Sequence, residues 1–330
     1  MSYDLPASLA SYPLRTSRKG HFWIPGEIVD TAGGTVMRAP MFVQWEAPEV
    51  VTRPHPVILV HGGGGQGTDY TGTPDGRPGW LDRFVQEGFL TYVVDRPGHG
   101  RSWYHPDVVG EPAGMFPYQA ASGLFRPPIP GHTQAVWSGE PGEANTDSLV
   151  SGMGFVHSDY AEVNRMDADR LAKLLDRTGP AVIVTHSAGA PAGWLVSELR
   201  HDLVKAHVAI EPIGPAFGGF PGLGFLTWGL SGAKPVFEPE PASPEALQEN
   251  PGGYVQPGLV GIPTVVVVAE ASPFTDFEQS VSDFVNALGG SSEFLNIGDH
   301  GVHGNGHGLM LEANSDEAVG PIIEWIGRIA

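Results

Sequence analysis

Residues 181–190 read AVIVTHSAGA, a strand-forming run that delivers Ser187 into a cluster of small neighbours. The helix-compatible stretch PAGWLVSELR follows at once, so strand, serine and helix stand in the order of a nucleophile elbow. In such a turn the hydroxyl is lifted above the sheet and the N-terminus of the next helix points at it. Gly189 meets the need for a small residue two positions after the serine. Thr185, two positions before it, departs from the usual Gly-x-Ser-x-Gly pattern. The competing reading, an ordinary loop serine, is disfavoured by that order of elements.

A serine hydroxyl is a poor nucleophile near neutral pH, so it needs an imidazole within hydrogen-bond reach and an acid to orient that imidazole. In elbow-type hydrolases the order along the chain is serine, acid, histidine. The loop after the final strand-like run reads DHGVHGNGHGLMLE and offers His300, His303 and His307. Two acids close apolar runs, Glu211 after VKAHVAI and Glu270 after PTVVVVA, and both belong at the carboxyl edge of a sheet. Fold-level reasoning alone favours Glu270, because the acid most often follows the penultimate strand. The glycine run His61–Gly65 also follows a strand, and glycine lets backbone N–H groups approach a developing oxyanion closely. The N–H of Ala188, next after the serine, is the expected second donor.

Other histidines have competing readings. His303 and His307 lie four apart and with His300 could ligate a metal, but the interleaved glycines 301, 304, 306 and 308 oppose a helix there. No HExxH or HxHxD pattern accompanies them. His303 otherwise reads as a loop residue bonding backbone groups. Asp95, His99 and Ser102 in DRPGHGRS look like a second triad and are read as a structural turn. His61 and His186 are read as architectural or pocket-lining.

The elements that must position these residues are legible as continuous apolar runs: HPVILVHGGGG, LTYVVDRPGHG, AVIVTHS, VKAHVAIEP and IPTVVVVAE. Such runs suit strands buried on both faces of a parallel sheet. Helical patterns lie between them, in WLDRFVQEG, DYAEVNRMDADRLAKLLDRTG, PAGWLVSELRHDL and FEQSVSDFVNALGG. EFLNIG and PIIEWIGRI supply a last strand and helix. Upstream, FWIPGEIV and TVMRAPMFVQW around TAGG read as one antiparallel hairpin. The prediction is an α/β fold: a mostly parallel central sheet with helices on both faces, one domain over residues 1–330. Segments 104–157 and 214–257 interrupt the alternation and are rich in Gly, Pro and aromatics, among them Phe116, Tyr118, Phe125, Trp137, Phe217, Phe220, Phe225 and Trp228. Both are expected to form a cap lining an apolar pocket over the site, the alternative being that these aromatics only pack loops onto the core.

Composition narrows the function classes. Eighteen Lys plus Arg against 37 Asp plus Glu give a net charge of -19, which repels nucleic acid and acidic membrane surfaces. With no cysteine there is no disulfide, thiol nucleophile or cysteine-ligated zinc. The N-terminal stretch has its basic residues after a broken apolar run and does not read as a secretory leader, and no run is long enough to span a membrane. A soluble, cytoplasmic protein is expected.

The segment HGGGGQGTDYTGTPDGRPGWLDRFVQEGFLTYVVDRPGHGRS, the elbow THSAG, the strand end AIEP and the terminal GVHGNGHGLMLEANS together resemble the α/β-hydrolase fold. Within it they resemble a small group of bacterial serine esterases, with related fungal sequences, whose acid follows the sixth strand of the common core. The resemblance covers nearly all of the chain from about Gly20. It implies Ser187 as nucleophile, Glu211 as acid and His307 as base, with Gly63 and Ala188 as oxyanion hole; Glu270 and His303 become the alternatives. The chain departs from the bacterial pattern in having Gly63 and Gly64 where two adjacent cysteines stand. The expected activity is hydrolysis of a small or medium apolar or aromatic carboxylic ester through an acyl-enzyme, with no metal, nucleotide or flavin cofactor. A lactonase, amidase or acyltransferase with the same residues, or a non-catalytic binding protein on this scaffold, are the alternatives. The resemblance also allows a homodimer.

Overall fold

The computed structural model describes residues 14–220 and 224–329. Residues 1–13, which carry much of the argument about a leader, lie outside them. Four strands open the chain: β1 (Ser17–Ile24), β2 (Glu27–Thr31), β3 (Gly34–Arg38) and β4 (Met41–Pro48). The single hairpin expected there is instead two nested pairs. β1 pairs with β4 in the main sheet, from Ser17↔Pro48 to Ile24↔Met41, while β2 and β3 pair only with each other around Thr31–Gly34. The chain kinks where the pairs part. A Cβ at Gly26 would collide with the carbonyl oxygen of Arg38, and Ala39 sits at φ 48.

The apolar runs then form β5 (Val57–Val60), β6 (Thr91–Asp95), β7 (Ala181–His186), β8 (Val204–Ile210), β9 (Pro263–Val268) and β10 (Ser291–Asn296). The eight-stranded sheet has the order β1-β4-β6-β5-β7-β8-β9-β10. From β6 to β10 every neighbour is parallel, and β4 and β1 add an antiparallel edge. Seven helices matter to the argument: α1 (Trp80–Gln86), α2 (Tyr118–Phe125), α3 (Ala144–Ser151), α4 (Tyr160–Thr178), α5 (Ala190–Leu199), α6 (Thr275–Ala287) and α7 (Gly320–Ile329).

Alternation along the strands divides the core between the two faces. Leu59, Val93, Val184, Val208 and Val267 pack with Trp80, Phe84, Ile322 and Trp325, which places α1 and α7 on one face. Ile58, Val94 and Ile183 pack with Leu171, Leu175 and Val196, and Val266 with Trp194 and Val285, which places α4, α5 and α6 on the other. α4 begins where the Asp159 side chain accepts from the Glu162 N–H and ends at Gly179, φ 81. No helix among the described residues is long and apolar enough to cross a membrane.

The two interrupting segments differ. Residues 104–157 carry α2, α3 and a small antiparallel ladder of Pro112–Met115 with Phe155–His157. In residues 214–257, Phe217 meets Phe284 edge-on at 5.5 Å, and Leu226 joins Tyr160, Val163 and Ile213.

The strand and helix that present Ser187 are accommodated in an unusual way. Thr185 faces the neighbouring strand, and its Oγ1 shares a 2.8 Å hydrogen bond with Nε2 of His207. His207 is buried, which pushes its pKa down to about 3 and keeps the ring neutral. The ring lies edge-on to Trp194, 4.2 Å between centroids, in the space that a Cβ on Gly193 would fill. The glycine missing before the serine is thus matched by one inside α5, where helix propensity alone would disfavour it. Gly193→Ala should therefore lower stability by about 1–3 kcal/mol through overpacking, despite its better helix propensity. Thermal melts of the two proteins check this; an unchanged or higher Tm would remove the packing argument.

Candidate active site

β7 ends at His186, and the next residue turns sharply. Ser187 has φ 50, a left-handed conformation that a residue with a Cβ adopts only under constraint. A short 3-10 turn, Ser187–Gly189, leads into α5, whose second residue is Pro191. The HGGGG loop packs directly against this turn. A Cβ on Gly62 would stand 3.0 Å from Cβ of Ser187 and 2.9 Å from Nδ1 of His186. One on Gly189 would collide with the carbonyl oxygen of His61. Gly63 borders the cavity that holds Ser187 and His307, and also a second small space that it shares with Ala188. The N–H of Ala188 lies at the start of a helical turn, where no intrahelical acceptor exists.

The structure brings Ser187, His307 and Glu211 together in one hydrogen-bonded chain. His307 Nε2 is 3.0 Å from Ser187 Oγ, and His307 Nδ1 is 3.1 Å from Glu211 Oε2. The imidazole is buried and packed by rings: Phe274 at 4.4 Å, His186 at 4.7 Å and Phe125 at 5.5 Å. Glu211 closes β8 at φ 46, so the acid also leaves its strand through a left-handed residue. Its Oε1 accepts the Ala269 N–H at 2.6 Å, and its Oε2 accepts the hydroxyl of Ser272. Burial pushes the Glu211 carboxyl up to about 7 and the His307 imidazole down, since a water-poor site disfavours either charge alone. A proton moved from Ser187 to His307 would create a charge pair with Glu211 in place of a lone cation.

Glu270 and His303, the alternative acid and base, are placed elsewhere. They face each other on the surface, with Glu270 Oε2 3.2 Å from His303 Nδ1 and 3.1 Å from the Gly304 N–H. The backbone N–H of Gly304, and then His303, hold the Glu270 carboxyl below its usual range. The fold-level preference for Glu270 therefore gives way to Glu211: the first is about half exposed and the second is fully buried against His307. His300 is exposed at the end of a 3-10 turn, and among the described residues no group of three or more His, Asp or Glu side chains can hold a metal. Asp95 accepts from Gly67 N and from the backbone and side chain of Arg101, while Ser102 Oγ donates to the Asp95 carbonyl. Those residues lock the DRPGHGRS turn. His61 accepts the Arg96 N–H at Nε2, 2.9 Å, and its Nδ1 lies 2.9 Å from the Gly62 carbonyl, bracing the glycine loop.

Several residues that support the site were not anticipated. Arg96, buried, donates to the Gly62 carbonyl at 2.7 Å and to Asp167 at 2.7 Å, fixing the glycine loop from behind. Glu312 accepts from the Gly306 N–H at 3.0 Å, from Asn305 Nδ2 at 2.8 Å and meets His132 Nε2 at 2.8 Å. The loop that carries His307 is thus tied to segment 104–157, and the Thr133 N–H donates to the Gly304 carbonyl as a second tie. Glu278 is buried near Glu211 with neither oxygen bonded among the described residues, and burial, with the charge of Glu211, pushes its carboxyl well up. A capping-type or motif signal exists for none of these; only Glu312, in the same short run as His307, was close enough to suggest a tie.

The cavity over Ser187 has a free volume of about 20 Å³ and an apolar wall in which Leu124, Phe125, Leu149 and Met153 all come from segment 104–157. Among the described residues, none of those lining it belongs to segment 214–257. The second segment packs against α4, α5 and α6, with Phe220 and Leu226 in the cluster that holds Ala188.

No protein-family model matches the chain. It is 30% identical over 322 residues to a protein of Fungal sp. (strain ATCC 74256) named a probable secreted lipase, across 90% of this chain and 88% of that one. Among solved structures, one described as a novel bacterial esterase matches with a TM-score of 0.68 and 23% identity, across 99% of each chain.

The geometry separates the two acids by experiment. Glu211→Gln should lower kcat by about 10³–10⁴-fold, as loss of the orienting charge does in comparable sites. Glu270→Gln should stay within about threefold, as expected for an exposed pair. Steady-state rates of both variants decide it, and the reverse ranking would return the role to Glu270. Because the Glu211 carboxylate is present only above its raised pKa, kcat/KM of the wild type should fall as pH is lowered through about 7. A flat profile from pH 8 to pH 6 would contradict that assignment.

Proposed function

The chain belongs to the α/β-hydrolase esterases and lipases and is an ester-bond hydrolase, and we propose that it acts through an acyl-enzyme formed on Ser187. The observation that carries this reading is the continuous Glu211–His307–Ser187 chain opening into a cavity that Gly63 also borders. Ser187 Oγ attacks the ester carbonyl as its proton passes to His307 Nε2. Glu211, accepting from Nδ1–H, stabilises the imidazolium and fixes the tautomer. The N–H groups of Gly63 and Ala188 receive the oxyanion, which is stronger there than on the ground-state carbonyl. Collapse of the tetrahedral intermediate breaks the bond to the alcohol oxygen, which leaves with the proton from His307. Water then attacks the acyl-serine, its proton going to His307, and the carboxylic acid departs as Ser187 is restored.

Segment 104–157 acts as a cap in this reading. The free volume at Ser187 holds about one water molecule, so Leu124, Phe125, Leu149 and Met153 must shift to admit an acyl group. The apolar wall favours a small or medium apolar or aromatic acyl portion. Cytoplasmic location stands as the accompanying proposal; the fungal relative is named as secreted, and fractionation of producing cells distinguishes the two.

Incubation with a small fluorophosphonate should give one adduct, on the peptide that carries Ser187, by peptide mass spectrometry. Ser187→Ala should abolish the adduct and lower ester hydrolysis by about 10³-fold or more. With an ester whose alcohol leaves readily, a burst of one alcohol per enzyme should precede the steady state. Labelling of another residue, or full activity in Ser187→Ala, would overturn the acyl-enzyme reading.

A further inference from the structure

The cavity at Ser187 shares part of its wall with a second space. That space is an open cleft of about 320 Å³, bordered by Thr68, Thr71, Thr73 and Ser148. Three residues border both spaces: Asp69, Leu149 and Leu311. These three side chains form the boundary between the space at Ser187 and the cleft. Leu149 and Leu311 are buried hydrophobics of the same core cluster, and Asp69 is the one charged side chain among the described residues that line either space.

Asp69 is held for that position. Its backbone N–H donates to the Gln66 carbonyl at 3.0 Å, closing the turn that opens Gly67–Tyr70. Its Oδ2 occupies the place where a Cβ on Gly65 would stand, so a glycine at 65 is needed for the carboxylate to lie against the loop that follows β5. The backbone of Gln66 hydrogen-bonds the carboxylate, and no side chain among the described residues does so. The nearby cation, Arg96, is already engaged by Asp167 and the Gly62 carbonyl. Burial, with the charge of Asp95 adding to it, pushes the Asp69 carboxyl up to about 7. The hydroxyls of Thr68 and Ser148, which border the cleft further out, have no hydrogen-bond partner among the described residues.

A carboxylate beside two leucines, at the boundary between a nearly closed chamber and a hydroxyl-lined cleft, has acceptor capacity that side chains among the described residues do not fill. An alkyl chain laid across it would strip its water and return nothing. A hydroxyl or ammonium group on the substrate would satisfy it. We propose that Asp69 is a specificity-determining residue, and that the Thr68–Ser148 cleft is the subsite for a part of the ester that bears a hydrogen-bond donor. The substrate class is then an ester of a hydroxylated or amino-bearing compound, not one with a plain alkyl chain on that side. This rests on Ser187 being the reacting serine, and it goes beyond that reading in naming what lies away from the scissile bond.

The test compares matched esters of one acyl group, with an alkyl, a hydroxyalkyl or an aminoalkyl alcohol of equal length, and the corresponding set varied on the acyl side. Wild type should favour the hydroxyl or ammonium ester over its alkyl counterpart by about 10–100-fold in kcat/KM in at least one of the two sets. Asp69→Leu should remove the preference. Asp69→Asn, nearly isosteric, should keep a reduced preference for the hydroxyl ester and lose that for the ammonium ester. Fluorophosphonate labelling of Ser187 in each variant reports that the fold and the serine are intact. Normal labelling with no donor preference in wild type, or a preference that survives in labelled Asp69→Leu, would overturn the proposal while leaving the acyl-enzyme reading in place. Absence of labelling and of all ester hydrolysis in wild type would overturn both.

Discussion

The site depends on one backbone constraint, the left-handed turn at Ser187 where β7 gives way to α5. A serine held at φ 50 must be over-determined by its surroundings, and here the surroundings are clearances as much as contacts. Gly62 and Gly189 let the loop after β5 lie against the turn on one side. Gly193 makes room for His207, which in turn takes the hydroxyl of Thr185. The tight packing that stores the strain is the same packing that holds Gly63 and Ala188 beside the serine.

The histidine reaches that turn by a different route. It sits on a glycine-rich loop that has no regular backbone pairing of its own, so its position is set by polar anchors. Glu312 gathers the backbone of Gly306 with the side chains of Asn305 and His132, all in the interior. Because His132 belongs to segment 104–157, the segment that lines the cavity also holds the loop of His307. The His132–Glu312 contact therefore joins that segment to the loop that carries His307. Apolar packing from Phe274 and Phe125 completes the seat, and burial there lowers the pKa of the imidazole.

Acidic groups are used in three environments. Glu211 is buried and donor-rich, Glu278 is buried with no donor among the described residues, and Glu270 is at the surface beside His303. Their carboxyls move in the directions those environments dictate, up for the first two and down for the third. Residue type alone does not distinguish them. Burial and backbone donors do, and these depend on where β8, β9 and α6 meet.

Local pattern determined a good deal of this protein. Strand, serine and helix at 181–200, and the continuous apolar runs of β5 to β9, follow from short-range chemistry: β-branched runs need two buried faces, and a small-residue turn is the one way to join such a strand directly to a helix. The serine and a short list of partners were legible for that reason. The local pattern does not rank the partners, because Glu211 and Glu270 both end buried strands and His303 and His307 share one loop; the tertiary structure buries Glu211 against His307 and leaves Glu270 with His303 at the surface. It also split the N-terminal hairpin into two pairs, β1 with β4 and β2 with β3, at a point where the backbones of Gly26 and Arg38 pass closely. The cavity lining and the position of Asp69 at its edge were decided there as well, since residues 69, 149 and 311 meet there through the fold and not through their spacing along the chain.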